Sequence, residues 1–321
     1  MKTISSRKRK MIIGHESQKQ YFIKALARGL SHAYLFYGPE HIGKLTFAKT
    51  LAKTLFCKNA TSGLGKECGV CADCVQIEKD AHPSVVVLDL EHTLMSEKDE
   101  RKNIPIEDIS ELKRLFAYAP GTGWRIAIIN EAEKMSRDAA SSFLKLLEEP
   151  GENSLFILIS PSREILFSTI VSRAVPIRFS PSSVVAMGEY LAVKVRDEDK
   201  EKAILNLSFG RPGIMLRLIE DKVFFAEEEK KIRDFESALK KGVPELLRIS
   251  SAVAGNPKEA RKFGEFLVKS LRESLLSGER DKHRIDTIKW LTNTLSLLES
   301  TNINPRLALD AMSIRASEVL G

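Results

Sequence analysis

Gly38-Pro39-Glu40-His41-Ile42-Gly43-Lys44 stands between an apolar run, Ala33-Tyr34-Leu35-Phe36-Tyr37, and a stretch of helical periodicity over residues 44–56. In that stretch Phe47, Ala48, Leu51, Ala52 and Leu55 share one face. A glycine-rich turn that joins a buried strand to a helix and closes on Gly-Lys is the pattern of a phosphate loop. Backbone N–H groups at the helix N-terminus receive phosphate oxygens, and the lysine reaches the terminal ones. Gly38, Gly43 and Lys44 are therefore candidate nucleotide-binding residues. A plain strand–helix turn with an incidental lysine is the alternative, and the agreement of motif with context speaks against it.

Outward from the loop, the first 180 residues alternate short apolar runs with helical patterns. Residues 85–90 (VVVLDL), 125–129 (RIAII), 155–160 (LFILIS) and 175–179 read as strands. Residues 107–118 carry Ile109, Leu112, Leu115 and Phe116 at helical spacing. Ser136 is a plausible N-cap for a helix bearing Ala139, Ala140, Phe143, Leu144 and Leu147, which Pro150-Gly151 stops. Continuous apolar strands separated by helices predict an α/β domain with a parallel sheet covered on both faces. At Ser180-Pro181-Ser182-Ser183 the pattern breaks, as at a linker. Beyond it, helices are expected over residues 201–209 and 212–220, joined at Gly210, and then an all-helical region rich in Leu, Lys, Glu and Ala. The expected division is 1–180, 181–221 and 222–321.

Two parts of an ATP-hydrolysing site are missing. The residue after the loop lysine ordinarily supplies a hydroxyl to Mg²⁺; here it is Leu45. Thr46 follows, but about 100° further round the helix. The strand RIAII ends in Asn130-Glu131-Ala132-Glu133, where an active site would carry Asp-Glu. Asn130 is neutral and holds a divalent cation poorly, while Glu131 is present. Both departures fall on the metal side. They argue against hydrolysis and leave nucleotide binding open.

All four cysteines, Cys57, Cys68, Cys71 and Cys74, lie in one short segment. Four thiolates can close a tetrahedral shell around zinc and leave no position for water, so such a site is structural. The CxxCxxC core also fits an iron–sulfur run, but the Cys-Pro of that pattern is absent, since Val75 follows Cys74. Disulfides are the third alternative, unusual in a cytoplasmic chain.

The 321 residues suffice for two or three domains. Hydrophobic residues make up 43% and allow a filled core, and no apolar run is long enough for a membrane span. Residues 1–10 are basic, with no apolar stretch behind them, so a secretory signal is not expected and a cytoplasmic location is. The formal net charge of +7 permits contact with nucleic acid without demanding it, and 7% aromatics disfavours base stacking.

Taken in order, several segments resemble one family: Ile12-Ile13-Gly14-His15-Glu16, His32 through Glu40, the four-cysteine insert, Phe143-Leu144-Lys145-Leu146-Leu147-Glu148-Glu149-Pro150, and Ser172-Arg173. Together they resemble the delta-prime family of bacterial DNA polymerase III clamp-loader subunits, within the AAA+ superfamily. The likeness covers about residues 11–220; the remainder matches in length and helical character only. The resemblance implies a RecA-like AAA+ domain, a helical lid and a helical collar that oligomerises. It implies a zinc module after the first helix, held by Cys57, Cys68, Cys71 and Cys74, with His82 as a turn residue. It also implies an arginine finger. The family's Ser-Arg-Cys reads Ser172-Arg173-Ala174 here, so the role passes to Arg173, which would place a cation on a neighbouring subunit's γ-phosphate.

The lid of the family's ATPases carries an arginine three residues after a glycine; counted from Gly210, that position is Gly213. Ser160, ending LFILIS, stands where a first sensor residue lies; its hydroxyl could touch phosphate or cap the strand. The expected function is a non-hydrolysing stator, with ATPase (gamma/tau) subunits, a delta subunit, the sliding clamp and primer–template DNA as partners, and ATP bound idly if at all. The rival readings are an active ATPase subunit of the same complex and a zinc-dependent DNA-binding scaffold.

Overall fold

The computed structural model describes residues 11–60, 63–90, 103–117, 123–276, 282–300 and 303–320. The basic segment 1–10, Thr61, Ser62 and Tyr118 lie outside the described residues. The described chain divides into two compact units. One comprises Met1–Arg196 with Gly210–Ile214, the other Asp197–Phe209 with Met215–Gly321.

The first unit is built on five parallel strands: β1 (Ala33–Tyr37), β2 (Val85–Leu88), β3 (Arg125–Ile129), β4 (Ser154–Ser160) and β5 (Val175–Arg178). Their spatial order is β2-β3-β4-β1-β5. Alternate residues of β1, β2, β3 and β4 feed two separate cores. Tyr34 and Phe36, Ile126 and Ile128, and Leu155, Ile157 and Ile159 pack on one face with Phe22 of α1 (Glu16–Arg28) and Phe47 and Leu51 of α2 (Lys44–Phe56). Ala33 and Leu35, Ala127 and Ile129, and Phe156 and Leu158 pack on the other, with Ile109 and Leu112 of α4 (Ile106–Ala117) and Phe143 and Leu147 of α5 (Arg137–Glu148). A strand buried on both faces has no polar side to show, which is why the apolar runs are continuous. This is the predicted α/β fold.

The bounds of β1, α2, β3 and α9 (Pro212–Glu220) coincide with the expectation. Ser136 caps α5 as expected, its hydroxyl accepting from the Ala139 N–H at 3.1 Å. Besides α1 and a single-turn helix described below, two short helices were not foreseen. One is α3 (Ala72–Glu78), which places Cys74 and Ile77 inward. The other is α7 (Val184–Ala192), and Ser183, read from sequence as linker, is its N-cap, accepting from the Ala186 N–H. The pattern Ser-Pro-Ser-Ser is thus a helix start as well as a break. A single-turn helix, α6 (Ser168–Val171), precedes β5.

The second unit is helical throughout its described residues: α8 (Glu198–Ser208), most of α9, α10 (Lys222–Lys241), α11 (Val243–Val253), α12 (Pro257–Leu276), α13 (Lys282–Ser300) and α14 (Pro305–Leu320). Its core gathers Phe235, Leu246, Phe263, Leu267, Leu291, Leu309 and Met312. Gly264 faces Leu295 and Met312 so closely that a Cβ there would lie 2.8 Å from Leu295 Cδ1. Glu228 is buried on α10 and is paired by Lys262 and, at 3.4 Å, by Lys231, which neutralises a charge the core could not otherwise hold.

Candidate functional site

The carboxyl ends of β1, β3 and β4 come together in the first unit, and the sequence candidates for nucleotide chemistry sit there. That is the usual place for a ligand on an open parallel sheet. Tyr37 is paired with Ser160 across β1 and β4. The Gly38 N–H donates to the carbonyls of Ser160 at 3.3 Å and Pro161 at 3.1 Å. Gly38 has φ +142°, and a Cβ on it would lie 2.1 Å from the Phe179 carbonyl oxygen, so only glycine fits. The loop then turns through His41 (φ 61°) into Gly43 (φ 98°), which begins α2.

Four of the loop's carbonyl oxygens are answered by the chain itself. The Lys44 ammonium, buried, donates to the carbonyls of Gly38 and, at 2.6 Å, Pro39. His15 Nε2 lies 2.7 Å from the Ile42 carbonyl oxygen and serves as its donor. The Gly213 N–H, at the start of α9, donates to the His41 carbonyl at 2.8 Å. A Cβ at Gly213 would lie 2.9 Å from that oxygen, so the backbone approach requires glycine. Leu45 is partly buried and packs on the aromatic core around Phe36 and Phe47, and Thr46 is half-buried.

Asn130 ends β3 with its N–H on the Leu88 carbonyl at 2.8 Å. Glu131 follows in the left-handed region (φ 55°) and opens a 3-10 turn, Ala132–Lys134. The Ser160 hydroxyl is buried and donates to the Ser162 carbonyl at 2.9 Å, so it fastens the chain leaving β4. The carboxyl facing it belongs to Glu133, a residue to which sequence reasoning gave no role. Burial pushes the Glu133 carboxyl above its ordinary range, and its Oε2 has no hydrogen-bond partner.

Arg173 lies apart from this cluster in sequence, just beyond α6. Its Nη2 donates to Glu148 Oε1 at 2.8 Å. Its Nη1 donates to the Thr169 carbonyl at 2.9 Å and to Ser172 Oγ at 3.3 Å. The Ser172 hydroxyl donates in turn to the Thr169 carbonyl at 3.1 Å. The guanidinium side chain is 37% exposed.

The four cysteines converge just past the far end of α2. Their Sγ atoms all lie within 4.8 Å of one another. Four thiolates at about 2.3 Å from one zinc stand about 3.8 Å apart, and Cys57 and Cys71 are 3.9 Å apart. The space suits a single ion, and the donor set suits a soft one. All four are free thiols, with Cys57 and Cys74 buried. Backbone N–H groups of Val70 and Cys71 hold the Cys68 thiol down to about 6, whereas burial pushes Cys71 and Cys74 up.

The module is tied to α2 by Lys49 on Asp80 (2.7 Å) and Lys53 on Glu78 (2.5 Å), and its exit by Phe56 packing against His82, with ring centroids 4.4 Å apart and the rings tilted by 50°. His82 Nδ1 accepts the Ser84 N–H at 3.1 Å, and Nε2 lies 3.6 Å from Asp73. It is a turn residue outside the thiol set.

A family model described as "DNA polymerase III, delta subunit" matches residues 14–183. A DNA polymerase III subunit delta' from Pseudomonas aeruginosa is 31% identical over 231 residues, covering 71% of this chain and 64% of that one. A DNA polymerase III subunit tau from Escherichia coli is 34% identical over 161 residues, covering 48% of this chain and 23% of that one. The chain thus spans less than two thirds of these relatives' length. Among solved structures, a DNA polymerase III gamma-subunit-related protein from Thermotoga maritima aligns with 95% of this chain and 100% of that one, at 19% identity and a TM-score of 0.43. Among the described residues no helix is long and apolar enough to cross a membrane.

Proposed function

Because the chain belongs to the delta-prime family of DNA polymerase III clamp-loader subunits, we propose that it is a stator: a cytoplasmic subunit that does not hydrolyse ATP and lends Arg173 to a neighbour's ATP. Its proposed partners are the ATPase (gamma/tau) subunits, a delta subunit, the sliding clamp and primer–template DNA. DNA contact would run through phosphates without base readout. The proposed division is a RecA-like AAA+ domain over 1–180, a lid over 181–221 and a collar over 222–321. Zinc held by Cys57, Cys68, Cys71 and Cys74 would order a loop that lacks an apolar core of its own.

The observation that carries the non-hydrolysing reading is Gly213. Where a lid of the ATPase kind offers an arginine to nucleotide, this chain presents a bare backbone seated on the His41 carbonyl at 2.8 Å, with no room for a side chain. Leu45, partly buried against the core, has no oxygen for Mg²⁺, and the neutral Asn130 holds a divalent cation poorly, so both act in the same direction. Gly38, Gly43 and Lys44 retain the frame of a phosphate site, so bound but idle ATP is compatible with this reading.

Ser172 and Arg173 sit on the surface, where a guanidinium can reach a partner's triphosphate. Fingers of this kind are worth about 10³–10⁵ in rate at the site they serve. The test is ATP turnover by the complex reconstituted with candidate ATPase subunits. Arg173→Ala is expected to leave assembly intact and to abolish the share of turnover contributed by the one site next to this chain. An unchanged rate would reject the finger. Brisk magnesium-dependent turnover by the purified chain alone would reject the stator reading in favour of an active ATPase.

A further inference from the structure

We propose that Glu148 is the resting partner of Arg173: a positioning residue that keeps the guanidinium on this chain until a neighbouring triphosphate displaces it. The inference rests on the finger reading above and deepens it. Both Nη groups of Arg173, the fork that would grip a phosphate, are already occupied in this chain. Two of the acceptors, the Thr169 carbonyl and the Ser172 hydroxyl, are neutral and come from the arginine's own turn. The third is an anion brought from a different element: Glu148 is the last residue of α5, 25 positions earlier in the chain.

The strength of the pair suits an exchange. The two side chains are 37% and 50% exposed, and ion pairs this open to water shift an equilibrium by about fivefold at most. A γ-phosphate carries more charge than a carboxylate, accepts the same fork and lies in a drier interface. It therefore outcompetes Glu148. Sharing is disfavoured, because a carboxylate beside the phosphate oxygens would repel them. Arg173 accordingly has two discrete positions, home on Glu148 or deployed on phosphate, and Glu148 sets the cost of leaving home.

The experiment is steady-state ATP turnover of the reconstituted complex carrying wild-type chain, Glu148→Gln, Arg173→Ala or the double variant. Glutamine keeps the shape of the side chain and removes its charge. Within the share of turnover that Arg173→Ala removes, Glu148→Gln is expected to lower the ATP concentration at half-maximal rate by about two- to fivefold while the maximal rate of that share is maintained. The double variant is expected to match Arg173→Ala, because Glu148 acts only through the arginine. A residue that merely braces α5 against α6 would instead alter turnover in the Arg173→Ala background as well. An unmoved or raised half-saturation in Glu148→Gln overturns the proposal, as does a double variant that differs from Arg173→Ala. If Arg173→Ala itself is silent, the finger reading falls and takes this one with it. If Arg173→Ala lowers turnover and Glu148→Gln leaves half-saturation in place, only the resting-partner role is lost.

Discussion

Helix α2 carries a different kind of site at each end, and the two are built on opposite terms. At its start, four carbonyls of the glycine-rich loop are answered from within. Lys44 is spent on the carbonyls of Gly38 and Pro39, His15 on that of Ile42, and the backbone of Gly213 on that of His41. Just beyond its last residue, four thiols crowd within 4.8 Å, two of them buried. One end meets the loop's carbonyls with the chain's own donors, and the other gathers four thiols near enough to one another to ligate a single metal ion. The contrast teaches that the carbonyls of a strand–helix loop can be met within the chain, whereas a cluster of soft donors brought together by local sequence stays suited to an ion from outside.

The largest expected effect lies at the cysteine end. Cys71→Ser is expected to release the metal and destabilise the first unit by about 4 kcal/mol, the linkage contributed by a ligand held a thousandfold above its dissociation constant. Metal content by mass spectrometry, together with thermal unfolding with and without chelator, checks it. A wild-type chain that is metal-free as purified and unaffected by chelator would erase the contrast between the two ends.

Next in size is the loop end. Gly38→Ala would drive a Cβ against the Phe179 carbonyl oxygen at 2.1 Å with the backbone at φ +142°. A loss of about 3 kcal/mol in urea unfolding is expected, from a backbone clash and a disfavoured dihedral acting together. A loss below about 1 kcal/mol would mean that the loop relaxes, and that its closure is looser than its hydrogen bonds suggest.

What could be read in the sequence was what local chemistry writes there. The limits of α2 and α9 follow from Gly43 before one and Pro212 opening the other, the strands from apolar runs, and the start of α5 from the Ser136 hydroxyl. The cysteine cluster was legible because its four members are close in the chain. The seat of Gly213 on His41 was not, because the two are far apart in sequence and no periodicity encodes a backbone approach. Sequence could mark Gly213 as a missing arginine; only packing shows that the place is filled. Glu148 had the same obscurity. It lay inside a motif quoted for resemblance, and its partner is 25 residues away. The helix α7 was hidden because Ser183 reads equally well as linker and as cap.

The smallest expected effect concerns His15, the residue that answers the Ile42 carbonyl. Its ring is buried and packs edge-on to Phe179 with centroids 4.9 Å apart. Burial lowers its pKa below the ordinary imidazole range, and the nearby cations Lys19 and Lys44 push in the same direction, against the Ile42 carbonyl and Glu16. The unfolded chain therefore takes up a proton on this imidazole before the folded chain does. Stability from the neutral ring is present in full above about pH 6.5 and is lost as pH falls from there toward the folded-state pKa. The slope reaches at most about 1.4 kcal/mol per pH unit for one proton. His15→Gln keeps an amide donor for the Ile42 carbonyl and removes the titration. Denaturant unfolding between about pH 7 and pH 5 should show a flatter profile for that variant than for the wild type. Identical slopes would place the acid sensitivity elsewhere and weaken the view that the loop is closed from within by a neutral histidine.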